Sequence, residues 1–456
     1  MAKSKVAVVI VPLPTQSHLN QLLHLAAVLS SRGLPVHFVG SATHNRQVRL
    51  RASGLKPSAA AKIKFHDLHS SPIAAPEPDT TNANKLPTHQ KPALMAYMEL
   101  NSPTCSLVRE LSAESSRIAV IYDRLVSPAV KDAVAIENVE SYAFSCLSAL
   151  NLFCVLWENL GRPFDVEGEI NRWPSVREFF PVPALKFIAT TPAHFDERDG
   201  DIYNTSRLIE AKYIDLLRRE EIGGGKKQFT IWPIWPRNLH DAKSRHECLE
   251  WLDLQSPRSV MYVSFGSTIS MTKEEIGELA AGLEQSGEKF IWVVREADRA
   301  DIFAGEGRGI ELPVGFEERV RERGIVVRDW APQLEILAHR STGGFMTHCG
   351  WNSCFESMIY GVPVAAWPMH SDQPLNAILL TEVLGIGVVV REWQAREEVV
   401  GAAVIEDVVG RLLSAEEGAE IRKRAEEVSA AVRKSMEEGG ELCRELDGFI
   451  AHITRD

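Results

Sequence analysis

Residues 6–39 read VAVVIVPLPTQSHLNQLLHLAAVLSSRGLPVHFV, and the order of patterns in this stretch decides the fold class. Residues 6 to 13 form an apolar, largely β-branched run, as a strand buried on both faces requires. Pro12 and Pro14 end it. Leu19, Leu22, Leu23, Ala26 and Leu29 then recur at helical spacing up to Gly33, a residue suited to the turn after a helix end. Val36 to Val39 supplies the next strand. This βαβ unit has a right-handed crossover and starts a parallel sheet with helices on its faces. The turn after the first strand reads PLPTQSH rather than GxGxxG, so the phosphate turn of a nicotinamide-dependent oxidoreductase is missing.

Outward from that unit, a segment from about 68 to 92 is rich in Pro, Ala and Asn without periodicity and reads as a long loop, a kind often functional in compact domains. A strand at Ile118 to Tyr122 ends on Asp123. Residues 196 to 240 carry charge runs (DERDGD, RREE, GGGKK) and the proline-broken IWPIWPRN, and within them Gly223 to Gly225 and the Trp-Pro repeats read as surface turns. The domain boundary is expected at about 236 to 250. A second α/β series follows. Ser259 to Phe265 is a strand, and Thr272 with Glu275 forms a capping-box pattern for a helix running to Gly287. Strands are expected at Phe290–Val294, Ile325–Arg328, Val362–Ala366 and Ile386–Val390, and the charged tail from about 403 is helical. The expected architecture is α/β, with two doubly wound parallel sheets facing across a cleft and ligands beyond the carboxyl ends of the strands. The division is 1–240, 241–435, and a terminal helix at 436–456 packing back on the N-terminal domain.

Bulk properties agree. A chain of 456 residues is too long for one ordinary core. Its net charge of −11, from 50 Lys plus Arg against 61 Asp plus Glu, repels phosphate backbones and argues against nucleic acid as a partner. No apolar stretch approaches the roughly 20 residues that span a bilayer, and the apolar N-terminal run is a core strand rather than a signal peptide. The seven cysteines, at Cys105, Cys146, Cys154, Cys248, Cys349, Cys354 and Cys443, form no CxxC pair. They read as free buried thiols in a reducing compartment rather than a disulfide framework or zinc site. A cytosolic monomer is expected.

The most informative stretch for chemistry runs from Trp330 to Gln373: WAPQLEILAHRSTGGFMTHCGWNSCFESMIYGVPVAAWPMHSDQ. GGFMT is a buried strand, HCGWNS the turn after it, and NSCFESMIY opens a helix. Gly350 allows close backbone approach, and the helix N-terminus offers free N–H groups and a positive dipole end. With donors from His348, Asn352 and Ser353, this is a diphosphate cradle. Glu356, four residues after Asn352 on the same face, can accept both hydroxyls of a ribose. Trp330 offers a face for a flat base, and Asp372 and Gln373 can meet the hydroxyls of a sugar. Each piece alone is ordinary: a lone Trp is usually core. Together they specify three parts of one ligand in order.

This stretch resembles the signature box of the plant family of UDP-sugar-dependent glycosyltransferases, whose fold is called GT-B. It carries the opening WAPQ, the central HCGWNS and the closing DQ. The resemblance implies that Trp330 stacks on uracil beside Gln333, and that His348, Asn352 and Ser353 hold the diphosphate. It further implies that Glu356 holds the ribose and that Trp351, Asp372 and Gln373 contact the sugar. Gln at the last position accompanies glucose donors in that family. SVMYVSFGST resembles the strand whose Ser, here Ser267, also touches the donor. No paired-carboxylate metal motif stands out, so no metal or further cofactor is expected beyond UDP-glucose as co-substrate.

His18, in the loop PTQSHLNQ at the carboxyl edge of the first strand, is the expected general base, and the family carries its base in the matching motif. That family usually has Gly where Ser17 stands. His24 reads as packing or surface. Asp123, also at a carboxyl edge, matches the family's partner Asp, with a helix cap as the structural alternative. The retained His18 and Asp123 argue against a non-catalytic UDP-sugar binder. HLNQLLHLA, KFHDL at 64–68, HECLEWLD and AAWPMHSDQP resemble one branch, the zeatin O-glucosyltransferases. The small-molecule acceptor expected from that likeness is a zeatin-type cytokinin, glucosylated on its side-chain hydroxyl. The alternative is a phenolic acceptor, such as a flavonoid or chromone, taking glucose on oxygen or carbon. Phe144, Phe153 and Trp157 are candidates for the acceptor pocket or for ordinary core.

Overall fold

The first strand, Ser4–Val11 (β1), buries both faces as its composition requires: Val8 and Ile10 pack with Leu19, Leu22 and Ala26, whereas Ala7, Val9 and Val11 pack with Tyr97, Leu100 and Val108. This is a computed structural model, and it describes residues 4–52, 55, 57–81, 85–180, 198–231, 245–304 and 309–456. The helix Gln16–Ser31 follows β1, and Gly33 beyond it has φ +85°. Around β1 stand β2 (Val36–Ser41), β3 (Lys64–Leu68), β4 (Ser115–Asp123), β5 (Val139–Ser145), β6 (Gly200–Tyr203) and β7 (Lys227–Thr230). They form one sheet in the order β3-β2-β1-β4-β5-β6-β7, with every pairing parallel.

A second sheet holds β8 (Val260–Ser264), β9 (Lys289–Val293), β10 (Gly324–Val327), β11 (Thr342–Thr347), β12 (Val364–Ala366) and β13 (Gly387–Val389). Its order is β10-β9-β8-β11-β12-β13, again all parallel. The helix Lys273–Gln285 opens on the expected capping box: the Thr272 hydroxyl accepts from Glu275 N at 3.1 Å, and the Glu275 carboxylate accepts from Thr272 N at 2.6 Å. In each sheet the winding reverses beside the first strand, between β1 and β4 in one and between β8 and β11 in the other. Loops leaving the carboxyl ends of those strand pairs diverge there and leave a crevice.

The charge-rich residues 196–240, in which the sequence pattern marks no strand, contain β6, the helix Arg207–Leu217 and β7 in their described part. Asp201 of the DERDGD run is buried in β6, where Arg124 and Arg198 neutralise it. A four-residue strand carrying a buried ion pair has no apolar periodicity to read. Gly224 and Gly225 do form the expected turn, at φ +60° and +66°. The Trp-Pro repeats and most of the expected boundary lie outside the described residues. In the tail, Phe449 of the helix Glu441–Ile453 stacks edge-on against Tyr142 of β5, with ring centroids 5.4 Å apart.

Candidate active site

The base side is built at the first crevice. Thr15 stands at the N-cap position of the helix Gln16–Ser31 without a side-chain capping bond, and His18 stands in its first turn. Because β1 pairs with β4 in register to Val11↔Tyr122, the loop after β1 lies against Asp123, the last residue of β4. His18 Nδ1 is 2.6 Å from Asp123 Oδ2. The other oxygen, Oδ1, accepts from Leu125 N at 2.9 Å, so Asp123 is both the partner of His18 and the cap that was its structural alternative. The Cys146 thiol donates to Oδ2 at 3.3 Å; burial and the neighbouring carboxylate push this thiol up, so it stays protonated. His18 is raised above its ordinary value: burial opposes its charge, but the field and hydrogen bond of Asp123, with a lesser contribution from Asp372, outweigh burial. With Nδ1–H held by the carboxylate, Nε2 is the basic nitrogen.

The donor side is built at the second crevice. β11 runs into the turn His348–Gly350, and the helix Trp351–Tyr360 begins with Gly350 as its N-cap and no side chain on its first N–H groups. Positively charged peptide ends therefore face the cavity. His348 fits between two glycines. A Cβ on Gly266 (φ +75°) would lie 2.6 Å from its Cε1, and one on Gly350 would lie 2.5 Å from its Nε2. Burial pushes His348 down to about 4, so its ring is neutral. Gln333 is held by Tyr262, whose hydroxyl donates to Oε1 at 3.2 Å, and its amide donates to Glu356 Oε2 at 2.6 Å and to Ser353 Oγ at 3.3 Å. Burial pushes Glu356 up to about 8 against the hydrogen bond from Gln333. Asp372 accepts from Asn376 Nδ2 at 2.8 Å. Gln373 turns its oxygen to the N–H groups of Met369 and His370, at 2.8 and 3.0 Å, and its amide nitrogen lies 3.5 Å from His370 Nε2.

One cavity of about 600 Å³ joins the two sides. Ser267, Trp330, Gln333, His348, Trp351, Asn352, Ser353, Glu356, Asp372, Gln373 and His18 all line it, while Asp123 stands behind His18. Two placements refine the sequence reading. The Trp351 indole N–H is held by the Asn204 carbonyl at 2.9 Å, so it is already engaged and not offered to a sugar hydroxyl. Trp330 has the Arg51 and Arg295 guanidinium groups 4.5 and 5.0 Å from its ring centroid. Phe144, Phe153 and Trp157 are buried core and do not line the cavity. Its acceptor-side wall is instead Leu94, Leu125, Leu147, Leu152 and Phe180, with Leu86 to Thr88 from the long loop. Scattered leucines on four segments carry no sequence signal. His24 is buried at the cavity wall. All seven cysteines are free thiols, and no helix among the described residues is long and apolar enough to cross a membrane.

Two all-parallel sheets with facing switch-point crevices, a helix N-terminus with a carboxylate one turn in, and an imidazole–carboxylate pair opposite it define a nucleotide-sugar transferase of the two-sheet class. Residues 4–236 match the family model described as "Glycosyltransferase, N-terminal domain", and residues 238–409 match "UDP-glucoronosyl and UDP-glucosyl transferase". The chain belongs to this family of UDP-sugar-dependent glycosyltransferases and has the GT-B fold. It is 46% identical to a zeatin O-glucosyltransferase of Phaseolus lunatus, over 99% of this chain and 98% of that one. It is 45% identical to a zeatin O-xylosyltransferase of Phaseolus vulgaris, over 99% of each. Among solved structures, Phytolacca americana UGT2 complexed with UDP-2-fluoro-glucose and pterostilbene superposes with a TM-score of 0.78. The sequences are 27% identical, over 99% of this chain and 100% of that one.

Glu356 gives a first prediction. Because burial holds Glu356 up to about 8, it is a charged acceptor for two ribose hydroxyls above that pH, where Glu356→Ala is expected to weaken UDP binding by about 1.5–3 kcal/mol. Titration calorimetry with UDP measures this directly, and unchanged affinity would move the ribose elsewhere.

Proposed function

We propose that this transferase moves glucose from UDP-glucose to the side-chain hydroxyl of a zeatin-type cytokinin, with inversion and without a metal. His18 Nε2 takes the proton of the acceptor hydroxyl as its oxygen attacks the anomeric carbon from the face opposite the diphosphate. The bond from that carbon to the phosphate oxygen breaks and UDP leaves with the electron pair, turning an α-glycosyl donor into a β-glucoside. The His18–Asp123 contact of 2.6 Å at the cavity edge carries the mechanism, and Asp123 holds the tautomer and stabilises the imidazolium. The leaving diphosphate is stabilised by the N-terminus of the helix Trp351–Tyr360 with His348, Asn352 and Ser353. Trp330 and Gln333 receive uracil, Glu356 the ribose, and Ser267, Trp351, Asp372 and Gln373 the sugar side of the donor.

End-to-end likeness to zeatin-modifying relatives supports the acceptor, and an apolar wall of leucines suits a flat purine with a short arm. Hydrogen bonds support the metal-free reading. His18, Asp123 and Cys146 bring a nitrogen, an oxygen and a sulfur within 4.8 Å, but protons on the first and last already point at Asp123. The division into 1–240 and 241–435, with 436–456 returning to the first sheet, fits the packing of Phe449 and the Arg117–Ile453 hydrogen bond of 3.2 Å. A cytosolic monomer completes the reading. The second reading is a phenolic acceptor, favoured by the pterostilbene in the Phytolacca complex.

Incubation with UDP-glucose or UDP-xylose in excess EDTA, with each zeatin isomer or a polyphenol, separates these. The expected product is zeatin plus one hexose, released by acid, at undiminished rate in EDTA. Conversion of the polyphenol alone would overturn the cytokinin reading, an acid-resistant product would place the bond on carbon, and preference for UDP-xylose would overturn the glucose donor.

A further inference from the structure

A chain of side-chain amides crosses the cleft beside the reacting groups, and its centre is Gln21. This residue stands one turn after His18 on the same helix and is buried. Its Oε1 accepts from Asn204 Nδ2 at 2.7 Å, and its Nε2 donates to Asn352 Oδ1 at 2.6 Å. Asn352 in turn donates through Nδ2 to the carbonyl of Ser17 at 3.1 Å. Asn204, after β6, is fixed because its own carbonyl receives the Trp351 indole N–H. The links form a closed loop: Trp351 to Asn204, Asn204 to Gln21, Gln21 to Asn352, and Asn352 back along its helix to Trp351.

Amide orientation is usually ambiguous, because nitrogen and oxygen ends have similar shapes. Here two backbone carbonyls remove the ambiguity. The Ser17 carbonyl can only accept, so Asn352 must present its nitrogen there and its oxygen to Gln21. The Cys146 carbonyl, 3.3 Å from Gln21 Nε2, also can only accept, so the nitrogen of Gln21 must point this way. Both constraints demand the same arrangement, and Asn204 satisfies the oxygen that remains.

We infer that Gln21 is a positioning residue for the donor: it binds the Asn352 oxygen while one amide N–H of Asn352 goes to the Ser17 carbonyl, so the carboxamide is held in one orientation beside the diphosphate cradle and the base helix is tied to the donor helix. The inference rests on the reading of Asn352 as a diphosphate contact. Asn352 is only partly buried at the mouth of its helix, so without Gln21 its carboxamide is held by the Ser17 carbonyl alone and can swing about that single hydrogen bond, away from the position it takes beside the cradle. The same links in a low-dielectric cleft tie the loop after β6, the base helix and the donor helix together at this point.

The test uses Gln21→Met, which has nearly the same length and volume but cannot donate, and Gln21→Glu, which still accepts from Asn204 but sets an oxygen against Asn352 Oδ1. Both are compared with Asn352→Ala and with the double variant Gln21→Met/Asn352→Ala. Gln21→Met is expected to raise the KM for UDP-glucose about five- to twentyfold and weaken UDP binding similarly, with acceptor KM unchanged. Gln21→Glu is expected to be worse. In the Asn352→Ala background, Gln21→Met should add less than about twofold, because linked residues are not additive. Wild-type donor KM in Gln21→Met, Gln21→Glu binding as well as Gln21→Met, or fully multiplicative effects would overturn the inference. An Asn352→Ala variant with unaltered UDP affinity would instead remove the diphosphate reading and this inference with it. Should Gln21→Met fail to fold, the Glu variant alone and in the Asn352→Ala background carries the same comparison.

Discussion

His18→Ala is expected to lower turnover on the natural acceptor about 10²–10⁴-fold while UDP affinity, measured by calorimetry, stays close to wild type. An aliphatic hydroxyl has a very high pKa, so its proton must leave as the oxygen attacks, and in the proposed mechanism Nε2 of His18 takes it. The pH dependence follows from the charge around that ring. Asp123 contacts it, and Asp372 lies near enough to raise it as well. The imidazole must be neutral to act, and its affinity for a proton is raised, so kcat/KM should be full at high pH. It should be lost as pH falls through a value above the ordinary 6.5. The alanine variant should lack this acid limb. Near-wild-type turnover, or an unchanged acid limb, would take the base assignment away from His18. With a phenolic acceptor the same variant would retain more activity at high pH, since a phenol loses its proton without help.

Asp123→Asn is expected to cost a similar 10²–10⁴-fold, for a reason specific to this geometry. Asp123 accepts from Leu125 N on Oδ1 and from His18 and Cys146 on Oδ2. An asparagine has one oxygen for these donors. If that oxygen keeps the Leu125 N–H, the new NH₂ group faces His18 Nδ1 and forces the ring proton onto Nε2, where the lone pair was needed. Removing the carboxylate also lowers the proton affinity of His18, so the residual activity should show its acid limb at lower pH than wild type. Steady-state rates across pH, beside thermal melting to confirm folding, check both parts. An Asp123→Asn enzyme with full turnover would show that Asp123 acts as a helix cap alone.

The donor box was legible because its parts are close in the chain. A strand end, a turn with Gly350, a helix N-terminus and a carboxylate one turn on are all local features, and residues 330 to 373 contain nearly all of them. Gln373 shows the limit of such reading: residue type gave an amide, but only the structure turned its oxygen to two backbone N–H groups and its nitrogen toward His370. The strands β6 and β7 escaped notice because they are four residues long and β6 buries an ion pair in place of an apolar face.

By itself, then, the sequence determined the two-sheet α/β class, through the βαβ pattern of residues 6–39, and the nucleotide-sugar chemistry, through a contiguous cradle. Family likeness, rather than spacing, paired His18 with Asp123. Tertiary structure decided the rest: that Cys146 donates to the same oxygen, that Phe144, Phe153 and Trp157 are core, and that Gln21 reaches Asn352 across 331 positions of chain. The physical reason lies in parallel crossover connections. They return every strand in the same direction, so loops far apart in sequence emerge together at one edge of a sheet, and their side chains meet only when two such edges face each other.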